Sequence, residues 1–376
     1  MIKVKAAVLT GVKKMEIREF PKPEVKAEDA LLKVLFCGVC GTDPHLYEGR
    51  LPVPYPIVQG HEFCGIIEEM GAKFPKKDMV GKPIKEGDRV VVLAAYNCGE
   101  CYVCKYYPQR NNLCEKGQVY GITIQCTNPP HLFGGFAEYV YLTPKVELYK
   151  FPDDIETETI ILTDPLAVAL RGLELACQPG LPWAGEGFGL AKTVIIQGLG
   201  TIGILAAAGA KTMGARKIIG IDGVEKRINM AKKFGVDEVI DISKFNSSQD
   251  IINEALRLTD GVGADIVVEL AGVPVAFKQG IEMTRRGGKF IELGHFTNAG
   301  EISINPSTIC FREIDITGVW AYPLSEFVTS ARMLEMTKDK FPYSTLVTHK
   351  FDVLDAEKAI LAATDKTCIK AVVEGK

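Results

Sequence analysis

Three groups of residues combine types and spacings that could do chemistry. Cys98, Cys101, Cys104 and Cys114 follow C-x2-C-x2-C-x9-C in a loop rich in Gly, Asn and Pro. Four thiolates from one short segment can surround zinc tetrahedrally and leave no position open, which marks a structural site rather than a catalytic one. The other readings are buried free thiols or a nucleic-acid zinc ribbon. Against the ribbon, Lys105, Arg110 and Lys116 are too few for a groove-binding surface. The second group is Cys37-Gly-Val-Cys40-Gly-Thr42-Asp43-Pro-His45 together with Gly60-His61-Glu62. Thiolate, imidazole and carboxylate suit zinc, and three protein ligands would leave a fourth position for substrate. Spacing alone leaves this group ambiguous: Cys37 and Cys40 could be a redox pair, and His61 could be an ordinary core histidine.

The third group is Gly198-Leu199-Gly200-Thr201-Ile202-Gly203, which follows the apolar run TVIIQ and opens an apolar helix. The first glycine suits a tight turn, the second a close approach to a pyrophosphate, and the third close helix–strand packing. The helix N-terminus adds free N–H groups and partial positive charge. The next run, KIIGI, ends at Asp222, where a carboxylate can accept both ribose hydroxyls and would repel a 2'-phosphate. NAD is therefore favoured over NADP, a preference tempered by Lys226 and Arg227 one helical turn on.

Two kinds of chain must position these groups. Before about residue 165 the apolar runs are short and strand-like (3–9, 31–36, 63–67, 89–95 and 136–142), with Gly and Pro between them, as in an irregular, mostly β domain. A helical pattern over 158–176 follows. Buried-strand runs at 193–197, 217–221, 238–240, 265–270, 289–293 and 315–319 then alternate with helical segments, which implies βαβ units and a doubly wound parallel sheet. After residue 319 come a helix over 324–339, two short strands and a helix, expected to fold back onto the first domain.

The 376 residues are 47% hydrophobic and 24% charged, a globular composition for two or three domains. A net charge of -3 offers no global positive field for nucleic acid or anionic membrane. The lysines of MIKVKAAVLTGVKKM interrupt any signal-peptide core, and no apolar run is long enough to span a bilayer, so the cytoplasm is the expected compartment. Eleven cysteines are then ligands or thiols more often than disulfides.

The G-V-C-G-T-D-x-H segment, the G-H-E motif, the four-cysteine lobe, Gly134-Gly135-Phe136-Ala137-Glu138-Tyr139 and the G-L-G-T-I-G turn occur in the order found in the medium-chain zinc-dependent alcohol dehydrogenases, which the chain resembles over nearly its whole length. The resemblance implies an α/β protein with a Rossmann domain at 166–320 and a mostly β, GroES-like catalytic domain at 1–165 plus 321–376, carrying a zinc lobe at about 96–116. It implies two zinc ions per chain, NAD, a small-molecule alcohol or carbonyl substrate, and a homodimer or homotetramer. By matching positions, Cys40 and His61 would bind the catalytic zinc, with Glu62 a carboxylate that can swing to it. Asp164, in Leu162-Thr163-Asp164-Pro165-Leu166, stands where relatives place Cys or Glu. It would bind zinc directly, bind through water, or leave the position to Glu62. An oxygen donor there tilts the substrate toward polyols and vicinal hydroxyls. Thr42 and His45 would carry the released proton outward, Asp43 would orient His61, Leu293, Gly294 and His295 would meet the nicotinamide, and Lys370 would reach the pyrophosphate. Two other readings remain: a zinc-free enone or quinone reductase of the same superfamily, which normally lacks both cysteine sets, and a non-catalytic NAD-binding protein.

Overall fold

A computed structural model describes residues 2–177 and 187–376. The chain forms two compact units, Met1–Asp164 with Pro323–Lys376, and Pro165–Tyr322.

The first unit is built on a seven-stranded sheet in the order Glu147–Lys150, Arg89–Leu93, Glu62–Met70, Ala30–Gly38, Lys370–Glu374 and Val347–Asp352, with Tyr139–Leu142 also pairing with Ala30–Gly38. A three-stranded sheet of Lys14–Pro21, Lys3–Gly11 and Ile57–Val58 accompanies it. Leu32, Val34, Phe63, Val92, Phe136, Leu148 and Val373 share one buried cluster, which fixes which face of each strand turns inward. Register then does the positioning. Gly38 pairs with Glu62, and Val372 pairs with Gly38, both antiparallel. Three segments far apart in sequence therefore bring Cys40, His61 and Lys370 to one end of the sheet.

The second unit is an all-parallel sheet in the order Glu238–Asp241, Lys217–Asp222, Thr193–Gln197, Ala264–Glu269, Thr284–Glu292 and Asp315–Gly318. Its central strands are apolar and buried along their length, as strands covered on both faces must be. The fold is thus α/β, with a doubly wound domain and a GroES-like one.

Two elements differ from the sequence-based expectation. The single helix over 158–176 is two helices, Thr157–Ile160 and Thr163–Ala176. Pro165 explains the break: in a continuous helix its ring would strike the carbonyl of Ile161, whereas in a first turn no N–H is missed. The strand expected at 289–293 begins earlier, at Thr284, with a register shift opposite Ala264 and Ile266. Among the described residues, no helix is long and apolar enough to cross a membrane.

Candidate metal centres and dinucleotide turn

The four-cysteine lobe is bracketed by a two-stranded ladder in which Ala95 pairs with Val119 and Tyr96 with Gln118. Cys98 Sγ lies 3.9 Å from that of Cys104 and 3.5 Å from that of Cys114, and Cys101 and Cys114 are 3.8 Å apart. These separations are too long for disulfides and match thiolates held about 2.3 Å from a central zinc, which sit about 3.8 Å apart in a tetrahedron. Backbone N–H groups of Cys104 and Glu115 pull the Cys101 thiol down to about 6, and those of Glu100 and Cys101 lower Cys98. The loop therefore favours the thiolate at Cys101 and Cys98, while burial and the neighbouring sulfurs push the Cys104 thiol up to about 12, so the four do not ionise alike. A cavity of about 610 Å³ beside the lobe includes Tyr96, Cys98, Lys116 and Lys145.

In the second group, ligand atoms of Cys40, His61 and Glu62 lie within 4.8 Å of one another. Cys40 sits between the strand Ala30–Gly38 and the helix Thr42–Tyr47. The buried Asp43 carboxylate fixes that corner by accepting from the Cys40 N–H at 2.8 Å and from Gln59 Nε2 at 3.0 Å. Asp43 Oδ1 faces His61 Nδ1 at 3.8 Å, an ion-pair distance rather than a hydrogen bond, and leaves Nε2 available to a metal. Burial pulls the His61 imidazole down, but the charges of Cys40 and Asp43 and the Cys40 hydrogen bond outweigh it and raise the group to about 10. Cys40 and Asp43 thus favour a positive charge at the His61 ring, and the sulfur, nitrogen and oxygen donors of the group suit a divalent cation.

Glu62 is 3% exposed, and its Oε2 accepts from Lys370 Nζ, which also donates to the Val39 carbonyl at 3.0 Å. A Cβ on Gly38 would sit 2.4 Å from Glu62 Oε2 and 2.9 Å from the Lys370 Cε, so the glycine makes room for this ion pair. Lys370, expected at the pyrophosphate, thus places its ammonium on Glu62. Burial lowers its proton affinity, but Glu62, Cys40 and Asp164 raise it further. Asp164 lies in the first turn of Thr163–Ala176, outside the 4.8 Å group, and reaches the site through this electrostatic effect on Lys370.

Thr42 is the first residue of its helix, whose N-cap is Gly41 with no side-chain cap, so its hydroxyl is not a capping group; its Oγ1 lies 3.5 Å from Cys40 Sγ. His45 is one turn further on the same face. Burial, and then the Arg50 charge, hold its imidazole below the usual value, in the neutral form that accepts protons. Cys37 is buried, and desolvation keeps its thiol protonated, which suits a core residue. Tyr47 gives its hydroxyl to Glu357.

In the six-stranded unit the three glycines divide their roles by geometry. Gly198 has φ +88°, and a Cβ there would strike Ala271 N at 2.8 Å. A Cβ on Gly203 would lie 1.9 Å from the Gly198 carbonyl, whereas Gly200, the N-cap of Thr201–Thr212, faces open space. Thr201 and Ile202 begin that helix. Asp222 Oδ2 accepts from Leu199 N and Oδ1 from Val224 N, each at 2.8 Å, which locks the carboxylate at its strand end and leaves a lone pair on each oxygen. Among the described residues, Arg227 Nε is buried without a hydrogen-bond partner. Leu293 and Gly294 follow the strand Thr284–Glu292, and the His295 ring turns toward Glu292 and Glu269 rather than standing clear. Local sequence does not mark Glu269 as a neighbour of His295 or Lys370 as the partner of Glu62, since only the folded sheets join these distant positions.

Residues 26–153 match the alcohol dehydrogenase GroES-like domain family, and residues 201–336 match the zinc-binding dehydrogenase family. The chain is 32% identical to sorbitol dehydrogenase of Bacillus subtilis over 85% of its own length and 82% of the relative's. It is 31% identical to L-threonine 3-dehydrogenase of Alteromonas mediterranea over 91% of each. A solved structure of alcohol dehydrogenase from Thermotoga maritima superposes with a TM-score of 0.90 at 27% identity, covering 100% of both chains.

Proposed function

The chain belongs to the medium-chain zinc-dependent alcohol and polyol dehydrogenases, and we propose that it moves a hydride between a secondary alcohol or polyol and NAD, using one catalytic and one structural zinc. The observation that carries this is the group of half-buried Cys40 with His61 and buried Glu62, whose sulfur, nitrogen and oxygen donors converge as a zinc ligand set does.

Cys40 and His61 would hold that zinc with a carboxylate as third ligand. Because Lys370 claims Glu62 Oε2, we assign the third position to Asp164, with Glu62 able to replace it. Bound zinc supplies the positive charge that lets an alcohol ionise near neutral pH, so that hydride can leave its carbon. Asp43 holds the Cys40 corner and faces His61. Thr42 Oγ1, beside Cys40 Sγ, is placed to pass the hydroxyl proton on, and His45, kept neutral, is placed to accept it. The turn 198–203 takes the pyrophosphate at the helix N-terminus, and Asp222 takes the adenosine ribose. Its fixed carboxylate supports NAD over NADP, while the unpartnered Arg227 Nε one turn on is the group that would soften the preference. Among the described residues the strand Asp315–Gly318 has a neighbour on one side only, with Phe311 and Trp320 exposed nearby, which supports a homodimer or homotetramer paired through that edge.

The test is an NAD-reduction screen across primary, secondary, vicinal-diol and hydroxy-amino-acid substrates on protein whose zinc has been counted. Two zinc ions per chain and turnover of secondary or vicinal alcohols are expected. Two zinc ions with no turnover of any class would overturn the reading.

A further inference from the structure

The mechanism leaves unused a cluster of titratable groups wholly inside the six-stranded unit. Glu269 ends the strand Ala264–Glu269, Glu292 ends Thr284–Glu292, and His295 follows three residues later. Their ligand-capable atoms lie within 4.8 Å of one another, with His295 Nδ1 2.9 Å from Glu292 Oε1 and 3.4 Å from Glu269 Oε2. Glu269 is fully buried. Its Oε1 accepts from Ala271 N at 2.8 Å and Gly272 N at 2.9 Å, but among the described residues no N–H donates to its Oε2, which has the Glu292 carboxyl as a neighbour. Among the described residues, Glu292 Oε2 likewise is buried with no N–H donor, and His295 Nε2 is buried without a hydrogen-bond partner. Among the described residues, no lysine or arginine pairs with either carboxylate. Two carboxyl groups sharing one imidazole away from water lack positive charge.

Their place in the sheet says what could supply it. The glycine turn and Asp222 occupy the carboxyl ends of Thr193–Gln197 and Lys217–Asp222, the half that takes pyrophosphate and adenosine ribose. Strand order reverses between Thr193–Gln197 and Ala264–Glu269. A dinucleotide laid across that switch point brings its other half over the ends of Ala264–Glu269 and Thr284–Glu292, where the cluster sits. A cavity of about 320 Å³, lined in part by Phe277, Glu292, His295, Thr297 and Ile304, opens beside it.

We propose that Glu269, Glu292 and His295 form an acidic seat for the nicotinamide end of the dinucleotide, one that favours the cationic oxidised ring over the neutral reduced ring. The inference rests on the reading of the chain as a nicotinamide-dependent dehydrogenase. Only the oxidised ring carries a formal positive charge, so a carboxylate beside it acts on one redox form and not the other. The same lack of positive charge shows in Glu269, which burial first and the Glu292 charge second push up to about 8.

The test titrates zinc-loaded protein with NAD+ and with NADH and compares the two dissociation constants. In Glu292→Gln, NAD+ binding should weaken about tenfold, the effect of one removed charge near the ring, with NADH binding changed less than about twofold. Asn298→Lys, at an exposed position lining the same cavity, should shift the ratio the same way by about threefold. It keeps the test standing if the first variant misfolds. Equal losses for both forms, or no loss for either, overturn the acidic seat while leaving the dehydrogenase reading intact. Failure of the unmodified protein to bind either form overturns both.

Discussion

The two metal groups of the first unit solve the same ligation problem in opposite ways. The four-cysteine lobe draws every ligand from seventeen consecutive residues, Cys98 to Cys114, clasped by one short ladder. The group at Cys40, His61 and Glu62 is assembled from strand ends and carries a buried countercharge, Lys370, from near the C-terminus. The lobe offers four sulfurs that would close around an ion; the assembled site mixes sulfur, nitrogen and oxygen, with one oxygen held back by an ammonium. A closed local site has stability to give and no chemistry. An open one needs a whole sheet to hold its geometry, and gains a ligand that can exchange.

The largest expected effect lies in the assembled site. Cys40→Ser should remove the catalytic zinc and lower kcat/KM by about a thousandfold, the several kcal/mol that a Lewis acid contributes, while the second zinc stays bound. Metal analysis with steady-state kinetics checks this. Loss of both ions together would erase the contrast between the two groups.

Next is the countercharge. Lys370→Met leaves the Glu62 carboxylate buried and unpaired, and urea unfolding should show a loss of about 3–5 kcal/mol. Adding Glu62→Gln should recover more than half, since the cost is an orphaned charge rather than missing packing. A single variant costing under about 1 kcal/mol would mean that Glu62 had found zinc or water instead.

This same contrast decides what could be read in the sequence. The lobe was legible because its spacing is local, and the parallel strands because runs such as TVIIQ are apolar on both faces. The strand Lys14–Pro21 was not: KMEIREFP packs one face against a single neighbour and leaves its charges in solvent, so it reads as polar chain. The start of Thr284–Glu292 was hidden by two arginines and two glycines. Arg285 is tied there by Asp265 at 2.8 Å, and a Cβ on Gly288 would lie 2.7 Å from Thr284. Lys370 was expected to reach the pyrophosphate and not to partner Glu62, because only strand register joins those two.

A third expectation separates proton transfer from ligation. Because burial and Arg50 hold His45 below its usual value of about 6.5, it is neutral at pH 7 and becomes protonated as pH falls through its lowered pKa. Alcohol oxidation should therefore decline on the acid side, below pH 6.5. His45→Gln should lose about tenfold in kcat and flatten that limb, with zinc content unchanged. An identical pH profile would remove His45 from the proton path.

The smallest effect on turnover belongs to the lobe. Cys101→Ser removes one of four thiolates, one that backbone N–H groups hold in its anionic form, so the variant should carry one zinc fewer and unfold at a lower temperature. The Cys98 and Cys114 sulfurs, 3.5 Å apart, would then be free to oxidise once the ion is gone. At low temperature and under reductant, activity per remaining zinc should stay within about threefold of the unmodified protein, because no lobe residue belongs to the Cys40 group. A hundredfold loss in well-folded protein would mean that the lobe and the assembled site are coupled through the strand Arg89–Leu93 and the chain that follows it, and the division between a closed, stabilising centre and an open, reactive one would fail.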